Sequence, residues 1–450
     1  MEDTAQNINP LERRLDISVP LDTLHAAVEK RLRQMSRSVK MPGFRPGKAP
    51  LSFVRQQHGG KAYGEALEEA IKAAFGKAVA EQRLDVACYP HIEPKPAQGD
   101  DDKTLEFSAA FEVFPEFVLG DVSGAQIERP VVEITDVEID KTIEILRWRW
   151  VRYDPVERGA TKGDRMVVSF CGKKDGEEFA GGSAENLPFV LGQNMLLPDF
   201  EAAVEGLKAG ESKDFDLRFP QDYPAKNLAG ETAQFSVTVE QVLAPVLPEV
   251  DAAFARLLKI ENGDITRMRA EIESMLRHEV NGRIDAYLKK QVMEALLNAN
   301  PIPAVPRTLV AMETRRMTEE ARREREERKK RGEESEGRLT QEEEERIAES
   351  AKRRVTIGLI FAEVIKTEAA RNNDLRAKPE QVRALIEDVA DTYEGKPQET
   401  VNAIYADAGA LANMKRIATE NNVVAWTLEH AKVTDKTVTF EELMGGNLPE

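Results

Sequence analysis

Between Arg158 and Val242 the chain reads as short apolar runs punctuated by Gly163, Gly172, Gly176, Gly192, Gly206, Gly210 and Gly230, and beyond Pro245 that texture stops. From there apolar residues recur every three or four positions, the spacing of one helix face. A sheet-forming stretch and a run of long amphipathic helices do not share one core. With 450 residues available, two to four domains of about 100–200 residues are expected. Aromatics make up only 6% and charged residues 32% of the chain, a balance that favours long solvated helices over an all-β architecture.

Within the glycine-punctuated stretch, MVVSFCG, NLPFVLG, FDLRFP and AQFSVTVEQV read as strands, and Pro198–Val204 as a short helix. Upstream, Leu15, Ile17 and Val19 alternate at period two, and Leu21, Leu24, Val28, Leu32 and Met35 form one helix stripe. A short helix from about Pro50 to Gln57 follows. A longer one carries Tyr63, Leu67, Ile71, Ala74, Phe75 and Ala78, and Leu105, Phe107, Ala109, Phe111 and Val113 alternate as a returning strand. Cys88 and Cys171 are too few for a disulfide scaffold or a metal site and read as core residues. The polar start and the lack of an apolar run of about 18 residues predict a cytosolic protein with no membrane partner.

The loop MPGFRPGKAP, residues 41–50, joins two of those helices. From Arg31 to Arg55 there are seven Lys or Arg and no acid, in a chain of net charge -17, so an anionic partner is expected there. Gly43-Phe44-Arg45-Pro46-Gly47-Lys48-Ala49-Pro50 resembles the GFRxGxxP docking signature of bacterial trigger factors. The resemblance implies that Gly43, Phe44, Arg45, Pro46, Gly47, Lys48 and Pro50 bind the large ribosomal subunit beside the tunnel exit, touching ribosomal RNA and a ribosomal protein. Cations suit phosphate oxygens, and a phenylalanine adds a stacking anchor.

The strand-rich stretch, through VSFCG, DGEEF, FVLG, LLPDFEAAVEGLKAGE and FPQDY, resembles an FKBP-type peptidyl-prolyl isomerase. That resemblance places pocket-lining, catalytic positions at Phe170, Phe179, Leu196, Leu197, Phe200, Tyr223 and Phe235. Ala180 stands where many FKBPs carry aspartate, and Asp199 replaces the glycine usual before the floor aromatic. Amide rotation needs no nucleophile and no cofactor: a dry aromatic cup binds the twisted, less charge-separated amide better than the planar one. A hydrogen bond from Tyr223 or a backbone N–H would orient the substrate carbonyl.

The expected fold is α+β and multidomain. A ribosome-docking α+β domain spans 1–114, a linker and helix 115–154, a small antiparallel-sheet FKBP-like domain 155–245, and a helical chaperone domain with protruding arms 246–450. The charged stretch 319–354 reads as helix, exposed hairpin, helix. The resemblance implies an ATP-independent bacterial chaperone, partly ribosome-bound, that holds nascent and unfolded polypeptides, isomerises X-Pro bonds and forms a homodimer off the ribosome. Two other readings fit parts of the chain: a free FKBP-type isomerase with helical partner-binding flanks, and an acidic helical scaffold with an inert module.

Overall fold

The computed structural model describes residues 9–38, 50–96, 103–221, 223, 225–226, 228–331, 338–391 and 397–446. The chain forms two compact units, each drawn from two stretches: residues 1–129 with 287–434, and 130–286 with 435–450.

The first unit begins with β1 (Glu12–Pro20), α1 (Leu21–Ser38), α2 (Leu51–Gln82), β2 (His91–Pro94) and β3 (Thr104–Glu112). The strands form an antiparallel sheet in the order β1-β3-β2, with Leu15 opposite Ala109 and Ile17 opposite Phe107. A slip of one residue would turn every apolar side chain of β1 to solvent, so burial fixes the register. Leu24 of α1 and Ala66 of α2 close the core over Ile17, Val19 and Phe107.

Where spacing predicts two helices after Pro50, α2 runs unbroken for 32 residues through Gly59, Gly60 and Gly64. A glycine inside a helix costs about 1 kcal/mol relative to alanine. That penalty does not break a helix whose buried side packs Val54, Ala62 and Ala66 against α1. Tyr63, assigned by spacing to the buried stripe, is exposed.

β4 (Gln126–Val131) leads into α3 (Asp136–Arg149), whose first turn is closed by a capping box between Thr135 and Glu138. The isomerase-like part follows as β5 (Arg152–Pro155), β6 (Arg165–Lys174), β7 (Glu177–Val190), α4 (Pro198–Val204), β8 (Ser212–Arg218) and β9 (Thr232–Val246). Its antiparallel sheet has the order β5-β9-β6-β7, with β8 also paired to β9. Asp175 and Gly176, at φ 54° and 87°, make the two-residue turn between β6 and β7 that right-twisted hairpins favour.

Cys171 and Cys88 are free thiols and only half-buried, not core residues as expected. Apolar neighbours suggested a core position, but on β6, where two register shifts flank Cys171, its thiol keeps part of its surface open. Cys88 lies in the irregular segment after α2.

Helices dominate the remainder: α5 (Ala252–Leu257), α6 (Ile265–Ala299), α7 (Arg307–Lys330), α8 (Gln341–Ala370), α9 (Pro379–Asp391), α10 (Pro397–Ala406) and α11 (Ala408–His430), then β10 (Lys432–Thr437) and α12 (Phe440–Met444). β10 pairs with β4, a strand pair too short and polar to announce itself in the sequence. Phe254 of α5 and Met268, Ile272 and Leu276 of α6 pack on Ile139 and Ile143 of α3. In 319–354 the chain is helical to Lys330 and again from Gln341, where Thr340 and Glu343 form a second capping box. No described helix is long and apolar enough to cross a membrane.

Glu112, at the end of β3, is buried and takes an unusual part in holding α7. Its carboxylate accepts hydrogen bonds from the backbone N–H groups of Arg307 (3.0 Å) and Thr308 (2.8 Å) and from the side-chain amide of Asn9. Pro306, the N-cap residue, offers α7 no side-chain cap, so a strand residue 195 positions away supplies it. Burial raises the pKa of Glu112, but these hydrogen bonds outweigh it and leave the carboxyl below its ordinary value. The linked stabilisation is therefore present at neutral pH and fades as pH falls through the folded-state pKa. Glu112→Ala should cost about 1–2 kcal/mol. Hydrogen exchange should quicken at the Arg307–Val310 amides, and the unfolding temperature of the variant should fall less steeply with acid than that of the wild type.

Candidate active site

One face of the β5-β9-β6-β7 sheet collects aromatic rings from five separate segments. On β9, Ala233, Phe235, Val237 and Val239 alternate inward and are all buried. Phe235 is the hub, its ring centre 5.8 Å from that of Phe200, 5.9 Å from Phe170, 6.1 Å from Phe215, 6.2 Å from Phe179 and 6.3 Å from Phe219. Phe200, on α4, stands edge-on to Phe170 at 5.2 Å and to Phe215 at 5.4 Å. Tyr223 leans on Phe219 at 4.8 Å, and Leu196 and Leu197 pack against the same cluster. Edge-to-face contacts of this kind contribute about 0.5–1.5 kcal/mol each beyond burial.

Two glycines make the arrangement possible. Gly172 lies opposite Phe235 in the β6–β9 register, and a Cβ there would sit 2.6 Å from the Phe235 ring. At Gly182 on β7 a Cβ would come within 2.7 Å of the Phe179 ring. Both rings lie against bare backbone.

Exposure divides the set into floor and lining. Phe200, Phe219 and Phe235 are buried, whereas Phe170, Phe179, Phe215, Tyr223, Leu196 and Leu197 keep part of their surface open. The second group therefore presents surface outward, and the first lies packed beneath it. The only titratable group in the set is the Tyr223 hydroxyl. Such a lining offers apolar surface and one hydrogen-bonding group, which suits enclosing a proline ring rather than cleaving a bond.

The resemblance to FKBP-type isomerases brought Phe170, Phe179, Leu196, Leu197, Phe200, Tyr223 and Phe235 forward, and all seven belong to this cluster. Phe215 and Phe219 were missed, although the alternation Phe215, Leu217, Phe219 along β8 and one residue past its end signals one inward face. Glu201 was missed too. It is buried, and its carboxylate accepts from the backbone N–H of Gly192 (2.8 Å) and of Leu196 (3.2 Å), holding the loop that delivers Leu196 and Leu197. An acid in a first helical turn ordinarily faces water, so no sequence signal marks it.

A second buried carboxylate supports the same loop from behind. Asp164 accepts from both Arg158 guanidinium nitrogens (2.6 and 2.9 Å) and from the Thr161 N–H (2.8 Å). Burial raises its pKa, and the bonds from Arg158 and Thr161 more than reverse this, so the carboxyl sits below its usual value. Its own backbone carbonyl accepts from Leu191 N–H, and Gly163 donates to Leu191 in return.

Of the expected ribosome-binding residues, Gly43, Phe44, Arg45, Pro46, Gly47 and Lys48 lie outside the described residues. Pro50 is the N-cap of α2.

The sequence matches the family model described as bacterial trigger factor protein over residues 1–146, and that of the trigger factor C-terminus over 264–429. It is 51% identical over 445 residues to the trigger factor of Dechloromonas aromatica (strain RCB), covering 99% of each chain. The chain belongs to the trigger factor family. The trigger factor of Aromatoleum aromaticum is 47% identical over 448 residues, again with 99% of each chain covered, and that of Azoarcus sp. (strain BH72) 46% over 440 residues, covering 97% of each. Between the two trigger factor matches, residues 156–240 match the FKBP-type peptidyl-prolyl cis-trans isomerase model. As a trigger factor, the chain is a chaperone with an FKBP-type isomerase domain, which the readings as a lone isomerase and as an inert scaffold do not accommodate.

Placing a methyl group at Gly172 should push Phe235 off its strand, at a packing cost of about 1–3 kcal/mol. In a proline-peptide isomerisation assay Gly172→Ala should lose at least about tenfold in kcat/KM. Phe215→Ala, which leaves the Phe235–Gly172 contact alone, should lose less.

Proposed function

We propose that the aromatic cluster on β6, β7, α4, β8 and β9 is the isomerase site, and that Phe170, Phe179, Leu196, Leu197 and Tyr223 touch the substrate while Phe200 and Phe235 form its floor. The observation that carries this is the division of one ring cluster into a buried floor and a half-open lining. Planar X-Pro amides resist rotation by about 18–20 kcal/mol. As the amide twists it loses charge separation, so a water-poor aromatic lining stabilises the twisted form more than the planar one. The Tyr223 hydroxyl or a backbone N–H orients the carbonyl of the preceding residue.

Residues 1–114 serve as the ribosome-docking domain, 115–154 as the linker and helix, 155–245 as the isomerase domain and 246–450 as the helical chaperone domain. The loop from Gly43 to Pro50 docks on the large ribosomal subunit near the tunnel exit, through ribosomal RNA and a ribosomal protein. Docking keeps a weak client site near the emerging chain at high effective concentration. Client release is passive, and the free protein dimerises away from the ribosome. Family membership and the loop's cationic, phenylalanine-bearing sequence support this reading.

Phe179→Ala removes a half-open ring while leaving the Phe200–Phe235 contact and the Phe235–Gly172 contact in place. The variant should fold and lose about tenfold or more in peptide isomerisation, while Phe44→Ala/Arg45→Ala/Lys48→Ala should isomerise normally and fail to co-sediment with large ribosomal subunits. Unchanged co-sedimentation of the triple variant across a salt series would overturn the docking assignment.

A further inference from the structure

Two of the chain's three tryptophans stand in the open, within a run of unusual make-up. From Ile145 to Tyr153 the sequence reads ILRWRWVRY, three arginines and three aromatic residues with no acid, in a chain of net charge -17. The run closes α3, passes through its C-cap residue Trp150 and enters β5. Trp148 and Trp150 are 41% and 49% exposed, and Ile145, one turn before Trp148, is 61% exposed. Rings this large are ordinarily packed, as that of Trp426 is. Two of them left outside among cations point to a partner.

The sheet extends this surface. Tyr153 lies opposite Pro245 of β9 and Arg165 opposite Leu243. Those β9 residues are two apart, so Tyr153 and Arg165 share one face, and the Arg165 guanidinium lies over the Tyr153 ring, 5.8 Å from its centre. A Cβ at Gly163 would stand 3.9 Å from the Trp148 ring, so Trp148 lies over the turn that carries Lys162 and leads into Arg165. Partners divide the cations. Arg147 bonds Glu144 (2.6 Å) and the Pro248 carbonyl (2.7 Å), Arg152 pairs with Asp154 at 2.9 Å, and Arg158 is held by Asp164. Arg149, Lys162 and Arg165 are exposed and, among the described residues, pair with no carboxylate. Of the acids between Ile145 and Arg165, Asp154 and Asp164 are taken up by these pairs, which leaves Glu157 alone against three cations.

We propose that this face binds single-stranded RNA, with phosphates on Arg149, Lys162 and Arg165 and bases stacked on Trp148 and Trp150, at a site separate from the Gly43–Pro50 loop. Each nucleotide of a strand brings one phosphate and one base face, and the run offers cations and rings in the same alternation. An acidic peptide would meet the cations and leave the rings unused. An anionic membrane is extended, and a chain of net charge -17 is repelled from it beyond the patch. A strand of a few nucleotides needs only the patch. In a duplex the bases stack on one another and do not reach the tryptophans.

The test uses the full chain with Phe44→Ala/Arg45→Ala/Lys48→Ala, so that the loop does not contribute, and a fluorescein-labelled single-stranded RNA of about twelve nucleotides of mixed sequence. Anisotropy should show binding at low salt, with log K falling against log salt at a slope of about -2 for three phosphate contacts. Arg149→Glu/Lys162→Glu should weaken binding at least about tenfold and flatten that slope. Trp148→Ala/Trp150→Ala should weaken it about tenfold with the slope kept, and should abolish the quenching of tryptophan fluorescence by RNA, because Trp426 is buried. The charge variant alters only exposed side chains, so its unfolding temperature and peptide isomerisation should match those of the parent. Equal binding of a glutamate-rich peptide of the same length, or of the same RNA annealed into a duplex, would overturn the assignment to a single strand. RNA binding unchanged in both double variants would overturn this face as the site. No RNA binding at low salt, with adsorption to phosphatidylserine vesicles that the tryptophan variant loses, would overturn the proposal in favour of a membrane.

Discussion

The isomerase domain depends on a hydrogen atom where every other residue has a carbon. Because Gly172 has no side chain, the Phe235 ring lies against the neighbouring strand, and from that position it contacts five other phenylalanine rings. Displacing Phe235 would unseat Phe200 beneath the site and Phe170 and Phe179 at its edge together. Ring packing, edge-to-face from Phe179 and Phe200 onto Phe235 and stacked from Phe215, fixes each ring through its neighbours. Buried Glu201 and Asp164 fix the surrounding loop by accepting backbone and guanidinium hydrogen bonds.

The helical part of the first unit is built on another principle. α7 buries no residue, and its stability comes from its cap and from ion pairs along its length, among them those of Arg316 with Glu313 and Glu320 and of Arg325 with Glu343. Exposed pairs of this kind contribute about 0.2–1 kcal/mol each. A helix so weakly tied can leave its apolar neighbours open to a ligand, provided that its end is held. Glu112 holds that end from the sheet, with a buried carboxylate in place of a local cap. A sheet whose rings pack on one another and a set of long, lightly capped helices are consistent with a chaperone that carries an isomerase domain.

Much of this was legible in residue order. Period-two runs located β1, β3, β6, β8 and β9, and the glycine punctuation located the turns between strands. The seven pocket positions came from the resemblance to FKBP-type isomerases, and each falls on a strand, a helix or the adjoining loop of the ring cluster. What escaped has physical causes. Two helices were expected after Pro50 where α2 is one, because spacing is local whereas burial of Val54, Ala62 and Ala66 is tertiary. Cys171 was assigned to the core from its apolar neighbours, which do not show on which side of a bulged strand a residue lies. Glu201 and Glu112 look like solvent-facing acids until distant backbone N–H groups are brought to them, and β4 and β10 are strands only in each other's company.

The central claim is that the half-open rings around Phe235 form the surface on which X-Pro bonds turn. Exchange NMR of a Phe-Pro peptide with a small fraction of the protein, read together with contacts between proline-ring protons and the phenylalanine rings, addresses it most directly. The account predicts faster cis-trans exchange and close contacts to Phe170, Phe179 and Tyr223. Accelerated exchange with proline contacts elsewhere in the protein, or no acceleration at all, would contradict it.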